Sequence, residues 1–211
     1  MKKIIYLNSG HSDLEPGTIS EHGVERDLNI TIRDLLTPLL EAQGFEVKEV
    51  PDKLKLYPSV LWVNTRVTTL EGGLAFGIHQ NCCGGRGAES FYYKNSNTSK
   101  AIAKKLIDTY CEVTGLNNRG AKSSSTSRFG RLGWIEDTNC WATLIECGFM
   151  DNAVDMEFII ENFDKVALGI AKGICKVFGI KYDMYKEPIT DNTPNNNTRI
   201  RELAQEIIKL T

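Results

Sequence analysis

The sequence predicts an α/β fold, with a central, mostly parallel sheet and helices on both of its faces. The alternation of two sequence patterns predicts this class. Short apolar runs rich in β-branched residues alternate along the chain with longer segments in which apolar residues recur at helical spacing. Several of the short runs also end at a polar residue, and ligands of such sheets bind outside the strand ends.

The first predicted unit is strand, helix, strand. An apolar run at 4–7 predicts a buried strand that enters a polar loop at 8–10. Helical spacing then begins at Glu25 and closes near Gly44 in the manner of a helix C-cap. Residues 45–50 alternate apolar and charged side chains, which is typical of a strand with one face in the core.

The middle of the chain continues the alternation. Residues 57–70 predict a second helix, and 74–78 predict a strand that delivers His79 at its end. A further strand is predicted at 90–93. A helix is expected to follow, because the polar cluster at 97–99 is a capping signal ahead of helical spacing.

The last third is predicted from the same patterns. The stretch 117–127 is rich in Asn, Gly and Ser and predicts a mobile loop. Residues 142–145 predict a last buried strand that ends on Glu146. Helical spacing resumes between 158 and 177.

Length and composition predict three regions. Residues 1–180 are expected to form one domain, since a chain of 211 residues is long enough for a single substantial core. Residues 181–197 contain two prolines and four asparagines and predict a linker. Residues 198–211 place apolar side chains on one face of a short amphipathic helix, which could mediate self-association.

Charge and hydrophobicity limit the partners. A net charge of −2 provides no overall positive field, so nucleic acid is not expected as a partner. No run approaches the roughly 20 apolar residues of a membrane helix, and no membrane association is expected. The N-terminal apolar run breaks at Asn8 and predicts a strand rather than a signal peptide, so synthesis in the cytoplasm is expected.

The chain contains residues from which a hydrolytic zinc site could be built. Such a site commonly uses two imidazoles and a carboxylate and leaves one position open for water. Among only three histidines, His11 and His79 each follow a predicted strand, and Glu25 opens the first helix. His22 precedes Glu25 by three residues and could compete with His11, although its polar surroundings favour an exposed loop. Glu146 closes an apolar run, where a carboxylate is costly without a partner or a role.

Five ordered motifs resemble one family of enzymes. They are SGH at 9–11, GVERDLN at 23–29, GIHQN at 77–81, RGA at 119–121 and LIECGFMDN at 144–152. In order and spacing they resemble the zinc-dependent N-acetylmuramoyl-L-alanine amidases of the Amidase_3 type. The resemblance spans about residues 2–180 and implies a phosphorylase/hydrolase-like sheet flanked by helices.

The resemblance implies a function and a set of site residues. It implies that His11, Glu25 and His79 bind zinc, that Glu146 is the catalytic carboxylate, and that the substrate is peptidoglycan. The bond cut would join N-acetylmuramic acid to L-alanine. The first motif departs from the family, which usually has an acidic residue in place of Asn8 and glycine in place of Ser12.

Other interpretations remain open from the sequence. Cys147 or the vicinal pair Cys82-Cys83 could be the nucleophile of a cysteine peptidase of the NlpC type, with His79 as base. A catalytically inactive wall-binding module is the non-enzymatic alternative. Without a signal peptide, the domain arrangement fits a phage or prophage endolysin that reaches the cell wall after holin-type release or lysis.

Overall fold

The computed structural model describes residues 2–67 and 69–184. The strands in this part are β1 (Ile4–Asn8), β2 (Ile19–Ser20), β3 (Gly23–Val24), β4 (Glu46–Glu49), β5 (Leu74–Asn81), β6 (Ala88–Tyr92), β7 (Asn118–Ser123) and β8 (Trp141–Phe149). The α-helices are α1 (Glu25–Ala42), α2 (Leu56–Asn64), α3 (Asn97–Thr114), α4 (Gly133–Glu136), α5 (Ala153–Glu161) and α6 (Phe163–Val177).

Six of these strands form one sheet in the order β4-β1-β5-β8-β6-β7. The four strands from β4 to β8 are mutually parallel, β6 runs antiparallel to β8, and β7 is parallel to β6. Strands β2 and β3 form a separate hairpin. The predicted α/β class with a mostly parallel sheet is therefore confirmed.

The sheet has a core on each face. One core packs α1, α3, α5 and α6 against the sheet, and includes Ile32 of α1 and Ile170 of α6. The other packs α2 and α4 against the opposite face, and includes Val63 and Trp134. Because successive strand residues point to opposite faces, this second face also receives every other side chain of β5 and β8.

The prediction of a mobile loop at 117–127 is wrong. Residues 118–123 form the edge strand β7, and Ser124–Thr126 form a short 3-10 turn. An edge strand pairs on one side only, so its polar and exposed composition does not prevent it from adding to the sheet. The contact between β6 and β7 begins where Ala88 donates its N–H to the carbonyl of Asn117 at 2.8 Å.

Other predicted boundaries also differ from the structure. Strand β5 continues past His79 to Asn81, so His79 lies within the strand and not after it. Strand β8 continues past Glu146 to Phe149, because β8 lies between β5 and β6 and its last residue still pairs with Asn81. Helix α2 ends at Asn64 rather than near residue 70. The Asn64 amide donates to the carbonyl of Asp137 and thereby joins the helix end to the region after α4.

The predicted linker begins at the edge of the described residues. Asp183 and the side chain of Gln43 exchange two hydrogen bonds of 2.9 and 3.0 Å, so the chain still contacts α1 at this point. The predicted helix at 198–211 and most of the predicted linker lie outside the described residues. Among the residues that are described, none belongs to a helix both long and apolar enough to cross a membrane.

Candidate metal centre and active site

Three predicted ligands come together where β1, β5 and α1 meet. The loop after β1 carries His11, β5 carries His79, and Glu25 is the first residue of α1. Glu25 Oε1 lies 2.9 Å from His11 Nε2 and 3.2 Å from His79 Nδ1. One donor atom from each residue lies within 4.8 Å of the other two, so the group could hold a metal ion.

Backbone donors fix the orientation of the central carboxylate. Glu25 is buried, and its Oε2 accepts the N–H of Thr18 at 2.9 Å while Oε1 accepts the N–H of Gln80 at 3.1 Å. Burial alone would raise the pKa of Glu25. Hydrogen bonds to the rings of His11 and His79, together with electrostatic interaction with them, outweigh burial and hold that pKa well below its ordinary value. The carboxylate is therefore presented in its charged form.

Two glycines make room for the histidine rings. Gly10 has φ +61°, and a Cβ there would lie 2.5 Å from the carbonyl oxygen of Ile78 and 2.7 Å from the ring of His79. Gly17 has φ +79°, and a Cβ there would lie 2.6 Å from Glu25 Oε2 and 2.7 Å from His11 Nε2. Only glycine fits both the backbone conformation and the space at these two positions.

The departures at Asn8 and Ser12 are accommodated by the loop. Asn8 Oδ1 accepts the N–H of Gly10 at 2.6 Å, a bond that a carboxylate could also accept. Ser12 is buried and exchanges two backbone hydrogen bonds of 3.1 Å with Glu15, without a positive φ that would demand glycine. The loop that carries His11 is thus closed by local hydrogen bonds.

Glu146 lies beside the three ligands. It is the register partner of His79 in the parallel pair formed by β5 and β8, and both side chains line the same cleft. Its Oε2 is buried without a hydrogen-bond partner. Burial, and then the nearby charges of Glu25 and Glu89, raise the pKa of Glu146 well above its ordinary value. A carboxyl group in a cleft with one buried, unpartnered oxygen is a candidate acid or base.

The cleft itself has a volume of about 800 Å³. Its lining includes the loop that carries His11 and Gly17, and residues 126–129. Its size is within the range of ligand-binding sites, about 300–1,000 Å³. The cleft therefore has space for part of a polymer in contact with the three ligands and Glu146.

Comparison with known proteins assigns the chain to a family. The model of the family Amidase_3, described as N-acetylmuramoyl-L-alanine amidase, matches residues 5–176. That range contains all four predicted site residues. The chain belongs to this amidase family.

Individual relatives are distant. A germination-specific N-acetylmuramoyl-L-alanine amidase of Bacillus subtilis (strain 168) is 26% identical over 199 residues, which cover 86% of this chain and 82% of the relative. An endolysin of Bacillus phage SPP1 is 20% identical over 190 residues, which cover 86% of this chain and 68% of the endolysin. The crystal structure of an N-acetylmuramoyl-L-alanine amidase from Clostridium difficile 630 superposes with a TM-score of 0.73 at 23% identity, over 85% of this chain and 98% of that one. This last similarity confirms the fold.

In this amidase His22 lies apart from the ligand group. It lies between β2 and β3, and its ring nitrogen is 3.8 Å from a carboxylate oxygen of Glu21. The predicted exposed loop is instead a tight hairpin in which the His22 side chain is largely buried. The structure therefore gathers His11, and not His22, with Glu25 and His79.

The cysteines are poorly placed for a thiol mechanism. Cys147 is fully buried, because its side chain points to the face of the sheet opposite to that of its neighbour Glu146. Burial raises the pKa of the Cys147 thiol well above its ordinary value, which disfavours a thiolate. Cys82 and Cys83 do line the cleft, but their sulfurs contact each other and Arg128, which is a cation rather than a base.

A second group of charges in the cleft is centred on Glu89, a residue that was not predicted from the sequence to belong to the site. Glu89 of β6 is buried, and its Oε2 lies 2.6 Å from both Arg119 Nε and Lys122 Nζ of β7. Its Oε1 accepts a hydrogen bond of 2.8 Å from Asn81. The available signal was a carboxylate inside the apolar run of β6, the same signal that pointed to Glu146.

Proposed function

We propose that this amidase hydrolyses the amide bond between N-acetylmuramic acid and L-alanine in bacterial peptidoglycan, with zinc held by His11, Glu25 and His79. The observation that carries the proposal is that these three donor groups converge in one cleft with Glu146, whose Oε2 is buried without a hydrogen-bond partner. The family assignment supports the class of bond and the peptidoglycan substrate.

The donor set is suited to zinc. Two imidazole nitrogens and one carboxylate oxygen are a common zinc-hydrolase combination that leaves a position open. Ligand atoms about 2.0–2.2 Å from a tetrahedral zinc lie roughly 3.3–3.6 Å apart. The separations of 2.9 and 3.2 Å from Glu25 Oε1 are close to that spacing. When bound, zinc would supply a Lewis acid that lowers the pKa of a coordinated water and polarises the amide carbonyl.

Glu146 would move the proton. As general base it accepts a proton from the attacking water, and as general acid it returns a proton to the amine of the departing L-alanine. The first step needs the carboxylate form of Glu146, which the positive charge of a zinc ion held by the three ligands would favour. The second needs its protonated form, which burial and the charges of Glu25 and Glu89 favour. These opposed influences suit a group that alternates between both states.

Cations on one side of the cleft would orient the peptide. Arg119, Lys122 and Arg128 all line it, and of these Arg119 and Lys122 share the single carboxylate of Glu89. The group therefore keeps positive charge that could pair with carboxylates of the stem peptide. Bound in this way, the peptide would place its first amide bond next to Glu146.

Digestion of purified cell wall tests the proposal. Zinc-loaded protein is expected to release new amino groups of L-alanine without new reducing sugar ends, and Glu146→Gln protein is expected to release neither. New reducing ends would contradict the amidase assignment. Wall binding without any lysis would indicate an inactive binding module. Activity that survives a chelator but not a thiol-alkylating agent would indicate a cysteine peptidase.

We also propose that the biological setting is a phage or prophage endolysin. The similarity to the endolysin of Bacillus phage SPP1 supports this setting, although the Bacillus subtilis germination amidase is also similar. Host cells that express the chain are expected to lyse only when a holin-type pore is formed. Export of the chain in the absence of any pore would argue against the proposal.

A further inference from the structure

A pair of adjacent cysteines lies on the cleft wall and has no part in the amide hydrolysis described above. Cys82 and Cys83 directly follow β5, the strand that carries His79. Their Sγ atoms are 2.8 Å apart. Cys82 is half-buried and Cys83 is exposed, whereas the other four cysteines of the chain are buried. A reagent that enters the cleft can therefore reach the thiols of this pair but not those of the other four cysteines.

The surrounding contacts hold the two sulfurs together. Arg128 Nη1 lies 3.2 Å from Cys82 Sγ and 3.1 Å from Cys83 Sγ. Cys83 has φ +74°, a backbone conformation that is uncommon for a residue with a side chain. Next to it, the N–H of Gly84 donates to Asp151 at 2.6 Å and anchors the turn. Strain of this kind persists where surrounding contacts enforce it, and it often accompanies function.

We propose that Cys82 and Cys83 form a peroxide-sensitive dithiol that closes to a disulfide, releases Arg128 from the cleft wall and lowers amidase activity. The effect on activity rests on the proposed function. The closure itself rests only on the proximity of the two sulfurs, their accessibility and their shared contact with a guanidinium group.

The oxidation proceeds in two steps. A hydroperoxide such as H₂O₂ transfers one oxygen to the more exposed thiol, Cys83, which becomes a sulfenic acid as the peroxide is reduced to water. The Cys82 sulfur then attacks the Cys83 sulfur, the S–S bond forms, and the hydroxyl leaves as a second water with the Cys82 proton. Two thiols and one H₂O₂ yield one disulfide and two waters.

Closure affects the cleft through two connections. Formation of the S–S bond draws the two sulfurs from 2.8 Å to about 2.05 Å and removes their S–H groups. Both sulfurs thereby move away from their shared contact with Arg128 Nη1, and the 126–129 segment loses its contact with the end of β5. The backbone N–H of Cys82 also donates to Asn81 Oδ1 at 2.8 Å, and the Asn81 amide donates to Glu89. A change of backbone at Cys82 therefore reaches the charged group that faces the substrate.

Peptide mass mapping tests the closure directly. The zinc-loaded 211-residue protein is treated with a small excess of H₂O₂ and blocked with an alkylating agent. The peptide that contains both cysteines is expected to lose two hydrogen atoms and to resist alkylation until dithiothreitol is added. Cys83→Ser protein is expected not to form this product. Cys111→Ser, which removes a buried thiol of α3, is the matched control and is expected to form it as wild type does.

Release of Arg128 and loss of activity are then measured on the same samples. Tryptic cleavage after Arg128 is expected to accelerate on oxidation. The kcat/KM of wall digestion is expected to fall by about fivefold or more, the usual range for coupling between neighbouring sites. Both changes should reverse with dithiothreitol and be absent from Cys83→Ser.

Each other result has a defined meaning. Absence of the disulfide from the 82–83 peptide overturns the proposal, and so does a disulfide that changes neither the cleavage nor the activity. If reduced wild-type protein shows no amidase activity, the proposed function fails. In that case the mass and tryptic measurements alone decide whether the dithiol closes and releases Arg128.

Discussion

Glu89 and Glu146 lie directly opposite each other in the antiparallel pair formed by β6 and β8. Both line the cleft, yet their surroundings differ. Glu89 is neutralised by Arg119 and Lys122, while Glu146 Oε2 has no hydrogen-bond partner. We therefore expect separate tasks for these two carboxyl groups on neighbouring strands, with Glu89 holding cations in place and Glu146 available for proton transfer.

The raised pKa of Glu146 predicts that this residue, which the proposed activity requires, lowers the stability of the folded protein at neutral pH. A carboxyl group whose pKa in the folded state lies above its unfolded value, about 4.3, binds more protons in the folded state. The free energy of unfolding therefore falls as pH rises from the unfolded pKa to the folded pKa. Glu146→Gln removes this loss. We expect metal-free Glu146→Gln protein to match wild type near pH 4. At pH 7 it should be more stable than wild type and should unfold at a higher Tm.

Thermal melts of chelator-treated protein at the two pH values measure this difference. Glu157→Gln, at an exposed position of α5, is the matched control and should leave the pH dependence as in wild type. A wild type that is more stable than Glu146→Gln at pH 7 would show that the carboxylate has a stabilising partner and would contradict the prediction.

Loss of the Glu89 carboxylate should weaken the charged side of the cleft. Glu89→Gln leaves Arg119 and Lys122 without their shared counter-ion. Both cations are about a third exposed, 31% and 32%, so the cost in unfolding free energy should be about 1–2 kcal/mol, below that of a fully buried broken pair. We expect kcat/KM to fall by about tenfold as the cations shift. Denaturant unfolding and wall digestion measure the two effects, and a loss of stability with unchanged kcat/KM would assign Glu89 a purely structural role.

Metal removal should affect folding as well as catalysis. A ligand that binds only the folded state stabilises it by mass action, by about 4 kcal/mol at a thousandfold excess over Kd. Chelation should therefore lower Tm and abolish activity together. His11→Ala should abolish the zinc-dependent rise in Tm, whereas His22→Ala, the matched control, should retain it. Elemental analysis of the dialysed proteins checks the result, and loss of zinc from His22→Ala but not from His11→Ala would reverse the ligand assignment.

Much of the site could be predicted from sequence because its residues interrupt local patterns. His79 and Glu146 lie where apolar runs give way to polar residues, and Glu25 opens a helix, so each position was visible without a structure. The choice of His11 over His22 depended on family resemblance, since spacing alone allowed both. β7 and the continuation of β8 were missed because their strand state depends on pairing with neighbours rather than on local composition.

Gly17 provides a test of how closely the ligand group is packed. In Gly17→Ala a Cβ would lie 2.6 Å from Glu25 Oε2 and 2.7 Å from His11 Nε2, in addition to the strain of a φ of +79°. We expect stability to fall by about 1 kcal/mol from backbone strain and zinc affinity to fall by at least tenfold from the displaced ligands.

Gly44→Ala separates these two effects. Gly44 has a similar φ of +84°, but a Cβ there would meet nothing within 4 Å. Its strain should therefore be comparable to that at Gly17, while the ligands stay in place. Zinc titration followed by calorimetry compares the two variants. If Gly44→Ala weakened zinc binding as much as Gly17→Ala, the loss would come from general destabilisation rather than from the clash with His11 and Glu25.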